Sequence, residues 1–324
     1  TFCSLVKRNT SIDSAYLMAQ DESPLDIETF KFKDRLIKGV SPEGDFKISV
    51  VKTTDTVREA VQRHECGPLA AIILAKTLTG ASLLASELKG EERVQLQLEG
   101  DGPLGSVIAE ANRIGEVRGY VKRPQAQLPN HGGEPRLEDG LGLGVLTVIK
   151  TLYNEAEPRM STIELVVGDV TTDIAYYMVQ SEQVHTAIRL DVKMANDGSI
   201  AHAGGLMIQK LPGADQKVID HLQEHLKTLT PVSDSLAAGH YIDEIMTQAL
   251  DGFSVKELDR QPVDFFCRCS RDRFRNGLAM LPVEELESLK GEPQELVCHF
   301  CNQKELFTKE EIDRLILEAR AALN

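Results

Sequence analysis

Four of the chain's six cysteines fall in one 35-residue window near the C-terminus: Cys267-x-Cys269, then 28 intervening residues, then Cys298-x-x-Cys301. A tetrahedral zinc site needs four donors, and two close pairs separated by one small fold unit supply them. Each pair offers two thiolates from a tight turn, and the segment between folds back to bring the pairs together. Val297-Cys298-His299-Phe300-Cys301-Asn302 reads like a zinc-knuckle turn. Four thiolates close the coordination sphere and leave no position for water or substrate, which weighs against a zinc hydrolase. The same cysteines also admit two ordinary disulfides, as in a secreted module, but the rest of the chain reads as intracellular. A Cys-x-Cys disulfide closes a very small, strained ring, and strained disulfides are the labile, regulatory kind. The first pair therefore suits a site that changes state more than a permanent clip.

The other candidates near this site read as bystanders. Cys66 precedes Gly67-Pro68 in a helical-looking region and is expected to be a small buried apolar residue. Cys3 lies in an N-terminal extension and carries no expected role. His299 stands between two proposed ligands, where its ring would point away from the metal, and reads as a surface histidine.

A length of 324 residues predicts two domains and a connector. Lys and Arg number 36 against 50 Asp and Glu, a net charge of −14, which argues against nucleic acid as a main partner. No run of about eighteen apolar residues occurs, so no membrane-spanning helix is expected. The chain starts at Thr1, which suggests a trimmed start, and residues 1–33 show no sustained period and read as an extension. Residues 34–212 read as a first domain. Phe46, Ile48 and Val50 alternate with polar residues, Gly67-Pro68 splits 55–89 into two helices, and strands are expected near 93–98, 106–111, 116–122, 144–152 and 161–167. A helix over 169–181 and a hairpin over 184–210, turning at Asn196-Asp197-Gly198, complete it. Strands and helices interleave without regular βαβ spacing, so the fold class is α+β.

Residues 213–262 read as a helical linker. Leu222, Leu226 and Leu229 share one helical face, as do Ile242, Ile245, Met246, Ala249 and Leu250. Nine acids against four bases give the segment a net charge of −5. Such short helices are marginal alone and need a partner surface, although ordinary packed helices would show the same pattern. Residues 263–324 hold the cysteines. Pro282 and Gly291 bracket a short helix, and Thr308-x-x-Glu311 is a capping box for a last one. A unit of roughly 60 residues is seldom stable without a staple, and structural zinc supplies about 10–16 kcal/mol of apparent binding free energy.

Two glycine motifs are decoys. Gly100-Asp101-Gly102-Pro103-Leu104-Gly105 matches G-x-G-x-x-G, but Pro103 and the following Ser106–Ala109 favour a turn into another strand instead of the helix that a dinucleotide site requires. Gly140-x-Gly142-x-Gly144 lacks the Lys-Ser/Thr of a P-loop and reads as a flexible connection. No catalytic constellation emerges, so no enzyme is expected.

These residues together resemble the 33 kDa heat-shock protein family of redox-regulated holdase chaperones, over roughly residues 34–324. The resemblance rests on Glu99–Gly105, Ala175–Gln183, Ala203–Gln209 with Leu211-Pro212-Gly213, and above all Phe266-Cys-Arg-Cys-Ser-Arg271 with Val297-Cys-His-Phe-Cys-Asn302. It implies that Cys267, Cys269, Cys298 and Cys301 hold one Zn2+ as thiolates in a reduced, inactive form. It further implies that peroxide with heat, or hypochlorous acid, drives disulfides Cys267–Cys269 and Cys298–Cys301 and releases the metal. The C-terminal unit then unfolds, the linker resting on it loses its partner surface, and apolar surface binds unfolded proteins without ATP. Dimerisation on activation and transfer of clients to an ATP-dependent 70 kDa chaperone are implied too, in a reducing, cytoplasmic compartment. Two departures stand out. Residues 1–33 hint at a mitochondrial or plastid homologue or at a lineage-specific arm, and Glu305 occupies a place where an aromatic is common.

Rival readings are a zinc-ribbon interaction or nucleic-acid module, supported by Arg268, Arg271, Arg273 and Arg275, and a nucleotide-dependent oxidoreductase using Gly100–Gly105.

Overall fold

A computed structural model describes residues 32–128 and 137–322. The expectations for the extension, Cys3 included, lie outside the described residues except at Phe32 and Lys33. In chain order the elements are β1 (Arg35–Val40), β2 (Phe46–Lys52), α1 (Thr54–Arg63), α2 (Pro68–Ala85), β3 (Arg93–Gly100), β4 (Ser106–Asn112), β5 (Glu116–Val121), β6 (Gly144–Thr151), β7 (Arg159–Glu164), α3 (Val170–Gln180), β8 (Thr186–Met194) and β9 (Ile200–Lys210). There follow α4 (Gln216–Thr228), α5 (Val232–Ala237), α6 (Ile242–Ala249), β10 (Lys256–Pro262), β11 (Asp264–Phe265), α7 (Arg271–Ala279), α8 (Val283–Ser288), β12 (Gln294–Val297), β13 (Lys304–Phe307) and α9 (Lys309–Ala322). The class is α+β, as the irregular interleaving predicts.

One sheet has the order β10-β1-β2-β9-β8 and a second the order β11-β5-β4-β3-β6-β7. Helix α2 lies between them, packing on strands of both. Pro68 starts this helix at a position where the missing N–H costs nothing. Its length and composition would suffice to cross a membrane, which a search for an unbroken apolar run overlooks because Lys76 and several small polar residues interrupt it. Here 83% of it is buried inside the protein, as befits a central core helix. Gly80 lets α3 come close: a Cβ there would stand 2.5 Å from Ile174 Cδ1. Asp169 caps α3 by accepting from Thr172 N at 3.1 Å.

The first sheet is covered on both faces. Met207 belongs to the core around α2, whereas Leu206 and Ile208 belong to a second cluster with Ile48 and Val50. Onto that second face pack Ile219, Leu222 and Leu226 of α4 and Ile242, Ile245 and Met246 of α6. Full burial of each such side chain contributes about 1.5–3 kcal/mol, far more than these short helices could supply by propensity.

Two expectations change at this point. The helices of 213–262 rest on the first sheet, and among the described residues their cluster includes none of the C-terminal unit. The segment is also not helical throughout, since its last seven residues are β10, antiparallel to β1. Lys-Glu-Leu-Asp-Arg-Gln-Pro carries no apolar alternation, so this strand exists because β1 offers an open edge. The C-terminal unit has a small core of its own, with Leu278, Leu286, Phe307, Ile312, Leu315 and Ile316 buried. Its last helix starts as the capping box requires: Thr308 N donates to Glu311 Oε2 at 2.8 Å, and Glu311 N donates to Thr308 Oγ1 at 3.4 Å.

Candidate metal centre

Each cysteine pair sits where local sequence makes a turn. The first lies between β11 and α7, and Ser270, next to Cys269, starts α7 by accepting from Arg273 N. The second lies in the loop between β12 and β13, whose pairing ends at Val297 and Lys304. Cys298 N donates to Gln303 O at 2.9 Å and Asn302 N donates to Cys298 O at 2.8 Å. The turn needs a left-handed residue, and Asn302 provides it at φ +57°. Asparagine tolerates that region far better than most side chains.

These turns bring together all four predicted ligands. The sulfurs of Cys267, Cys269, Cys298 and Cys301 lie within 4.8 Å of one another. The close approaches run between the turns: Cys267 Sγ to Cys298 Sγ is 3.7 Å and Cys269 Sγ to Cys301 Sγ is 3.2 Å. Thiolates at about 2.3 Å from a tetrahedral zinc stand about 3.8 Å apart, so the donor set fits that ion in number, type and spacing. Burial pushes the Cys267 thiol up, but the Cys269 N–H and the Arg118 guanidinium outweigh it and hold the group below its ordinary value. Cys269 and Cys301 are raised, chiefly by burial.

The centre is docked on the larger sheet assembly through contacts that the cysteine pattern does not announce. β11 pairs in parallel with β5, Asp264 against Glu116 and Phe265 against Val117. Arg118, on β5, directs Nη1 to Cys267 Sγ at 3.6 Å and holds its guanidinium 4.1 Å from the Phe300 ring centroid. Phe300 also meets Tyr120 edge-on at 5.4 Å. From α1 and the turn after it, His64 Nε2 lies 3.1 Å from Phe300 O, and Arg63 O accepts from Asn302 Nδ2 at 2.7 Å. Burial lowers the His64 pKa, against the opposing pull of its contact with Phe300 O. Sequence reasoning missed Arg118, Tyr120 and His64 because each is ordinary within its own element.

The remaining candidates divide clearly. His299 is exposed and its ring stands 6.0 Å from Tyr120, outside the sulfur cluster. Cys66 lies in the short link between α1 and α2 and is half-buried against the main core, which pushes its thiol up to about 12. Arg268 pairs with Glu116 at 2.8 Å, Arg271 with Glu311 and Glu305 at 2.8 and 3.0 Å, and Arg275 with Glu318. Three of the four arginines that favour a nucleic-acid reading are thus engaged by carboxylates. Glu305, the residue out of keeping with the family pattern, is one of those partners. Gly100–Gly105 forms a turn between β3 and β4, with Gly100 N donating to Gly105 O at 2.9 Å and Gly105 at φ +74°. Among the described residues the turn runs from β3 into β4 and opens no helix, so it lacks the strand-to-helix context of a dinucleotide fingerprint.

A family model described as Hsp33 protein matches residues 34–308. The chain is 37% identical over 287 residues to the 33 kDa chaperonin of Desulforamulus reducens, covering 88% of this chain and 97% of that protein. Its identity to the 33 kDa chaperonin of Bacillus subtilis is 36% over 286 residues, covering 87% and 98%. The crystal structure of the 33 kDa chaperonin (heat shock protein 33 homolog) from Thermotoga maritima has a similar fold. That comparison has a TM-score of 0.82 at 28% identity and covers 89% of this chain and 99% of that one. With agreement in sequence and in fold along nearly the whole length of these relatives, the chain belongs to the Hsp33 protein family.

Proposed function

We propose that the protein is a redox-regulated, ATP-independent holdase chaperone, resting in the reduced form and switched on by oxidation of its four clustered cysteines. The observation that carries this reading is the placement of the four sulfurs: gathered within 4.8 Å, in turns that are themselves the docking surface of the C-terminal unit. In the reduced state Cys267, Cys269, Cys298 and Cys301 would hold Zn2+. Bound zinc would supply folding free energy to a unit whose own core is small.

Oxidation joins Cys267 to Cys269 and Cys298 to Cys301. Each bond takes two electrons from two thiolates and passes them to an oxidant of the peroxide or hypochlorous acid class. With peroxide and two protons, two waters form. Two sulfurs of one turn, drawn to the roughly 2 Å of a disulfide, can no longer serve as separate tetrahedral corners. The C-terminal unit then loses its staple, and β11 and β10 lead the loss back to the sheets: β11 leaves β5, and β10 leaves β1. The helices α4 to α6 follow, since β10 is their continuation, and the apolar face beneath them (Ile48, Val50, Leu206, Ile208) becomes available to unfolded proteins. Homodimerisation on activation, hand-over to an ATP-dependent 70 kDa chaperone and a reducing cytoplasmic or organellar interior belong to the same reading.

An oxidant series measured for zinc release and for suppression of client aggregation tests it. Zinc release and suppression should rise together. Equal suppression before and after oxidation, with metal retained, would sink the proposal.

A further inference from the structure

We propose that a cleft built around Gln209 receives one apolar side chain of a non-native polypeptide together with its adjoining peptide group; this rests on the chaperone reading above and gives it a specific binding site. The clue is a polar residue at a core position. On β9, Met207 joins the core around α2, and alternation brings Gln209 to the same face. Gln209 is only 4% exposed, and its Oε1 is enclosed without a hydrogen-bond partner. A buried, unpartnered acceptor costs stability, so its presence beside a cavity calls for a group that completes it.

Gln209 lines a cavity of about 220 Å³, walled by Leu84, Met178, Val184, Leu211 and Pro212. Charge does not select the occupant. Lys47 is paired with Glu87 and Lys150 with Glu182, and Lys210 donates to Gln216 Oε1 at 2.6 Å. What remains is a carboxamide among apolar walls. A carboxamide carries the acceptor and donors of a peptide group, so it can pair with the backbone of any sequence. Aliphatic walls with an adaptable methionine accept side chains of varied shape. That combination suits a binder of unfolded chains and not a receptor for one metabolite. Leu211 and Pro212 lead directly into α4, so departure of the linker helices widens the cleft at the moment clients must bind.

The test uses the oxidised full-length chain and a fluorescein-labelled, reduced and carboxymethylated lactalbumin, which stays unfolded. Met178→Trp fills the cleft and should weaken binding at least about tenfold; Gln209→Leu should weaken it several-fold. Peroxide-driven disulfide formation should stay as in the wild type in both. Independently of any variant, the same probe carrying photoreactive leucine should label peptides containing Met178, Val184 or Pro212 of the wild-type chain. Wild-type affinity in both variants, or label confined to other surfaces, overturns the cleft while leaving the holdase reading in place. A wild-type chain that binds no probe after oxidation overturns both.

Discussion

Arg118 and Cys267, 149 residues apart in sequence, meet at 3.6 Å, and the same guanidinium lies over Phe300. One side chain of the larger sheet assembly thus touches both cysteine turns. It is held in place by Glu110, which accepts from its Nε at 3.0 Å. Docking of the C-terminal unit is thereby bound up with the state of the sulfur cluster.

Arg118→Ala should loosen that docking without disturbing the core around α2. A desolvated cation–π contact and a charge-assisted hydrogen bond together suggest a loss of about 1–3 kcal/mol. The check is limited proteolysis of the reduced protein, in which cleavage after residue 263 should quicken while the first assembly stays intact. Combined with Phe300→Ala in a double-mutant cycle, the two losses should be strongly non-additive. Additive losses would mean that the stacking carries no energy.

Leu286→Ala removes a fully buried side chain from the six-residue core of the C-terminal unit. A cost of about 2–5 kcal/mol is expected. With zinc held as proposed, binding and folding are linked, and the loss should be read out as weaker zinc retention against a competing chelator. Unchanged zinc affinity would show that the site folds independently of this core.

Burial raises the Cys66 thiol to about 12, so it is protonated at pH 8 and should be inert. In the native protein a thiol alkylating agent at pH 8 should leave Cys66 unmodified by mass spectrometry until denaturant is added. Cys66→Ala should leave the oxidation response as it is. Rapid native labelling would disprove the assignment.

Asp169 is the acid-sensitive support of α3. Burial pushes its carboxyl up, but Lys76 at 2.7 Å and the cap to Thr172 outweigh it and hold the group below its ordinary 3.8. The unfolded chain therefore binds the proton more readily, so the stabilisation is complete above about pH 4 and is lost as pH falls through the lower folded value. Asp169→Asn should cost about 1 kcal/mol at pH 7 and flatten the fall in Tm between pH 4 and 3. A wild-type slope in the variant would remove Asp169 from the account.

Where the folding signal is local, the elements could be read in advance. Alternation in Val94, Leu96 and Leu98 marked β3, Gly67-Pro68 separated α1 from α2, and Thr308 with Glu311 marked the start of α9. Strands β1 and β10 were not legible. β10 has no apolar period and takes its conformation from the edge it pairs with, and β1 (Arg-Leu-Ile-Lys-Gly-Val) places two buried residues side by side instead of alternating. The expectation that the linker leans on the C-terminal unit failed for a related reason. An amphipathic face declares that it needs a partner, not which partner, and here the partner is the outer face of the first sheet.

The cysteine pattern shows the same division. Residue type and spacing alone determined that four thiols would form two tight pairs able to share one tetrahedral ion, because turn geometry and coordination chemistry are properties of a few consecutive residues. Only the tertiary structure decided that the nearest sulfurs face each other across the two turns, that Arg118 and Tyr120 receive Phe300, and that Gln209 lies buried without a partner. Those relations join residues far apart in the chain. Packing and hydrogen bonding between distant segments leave no periodic trace in either one, so the sequence contains the participants but not their meeting.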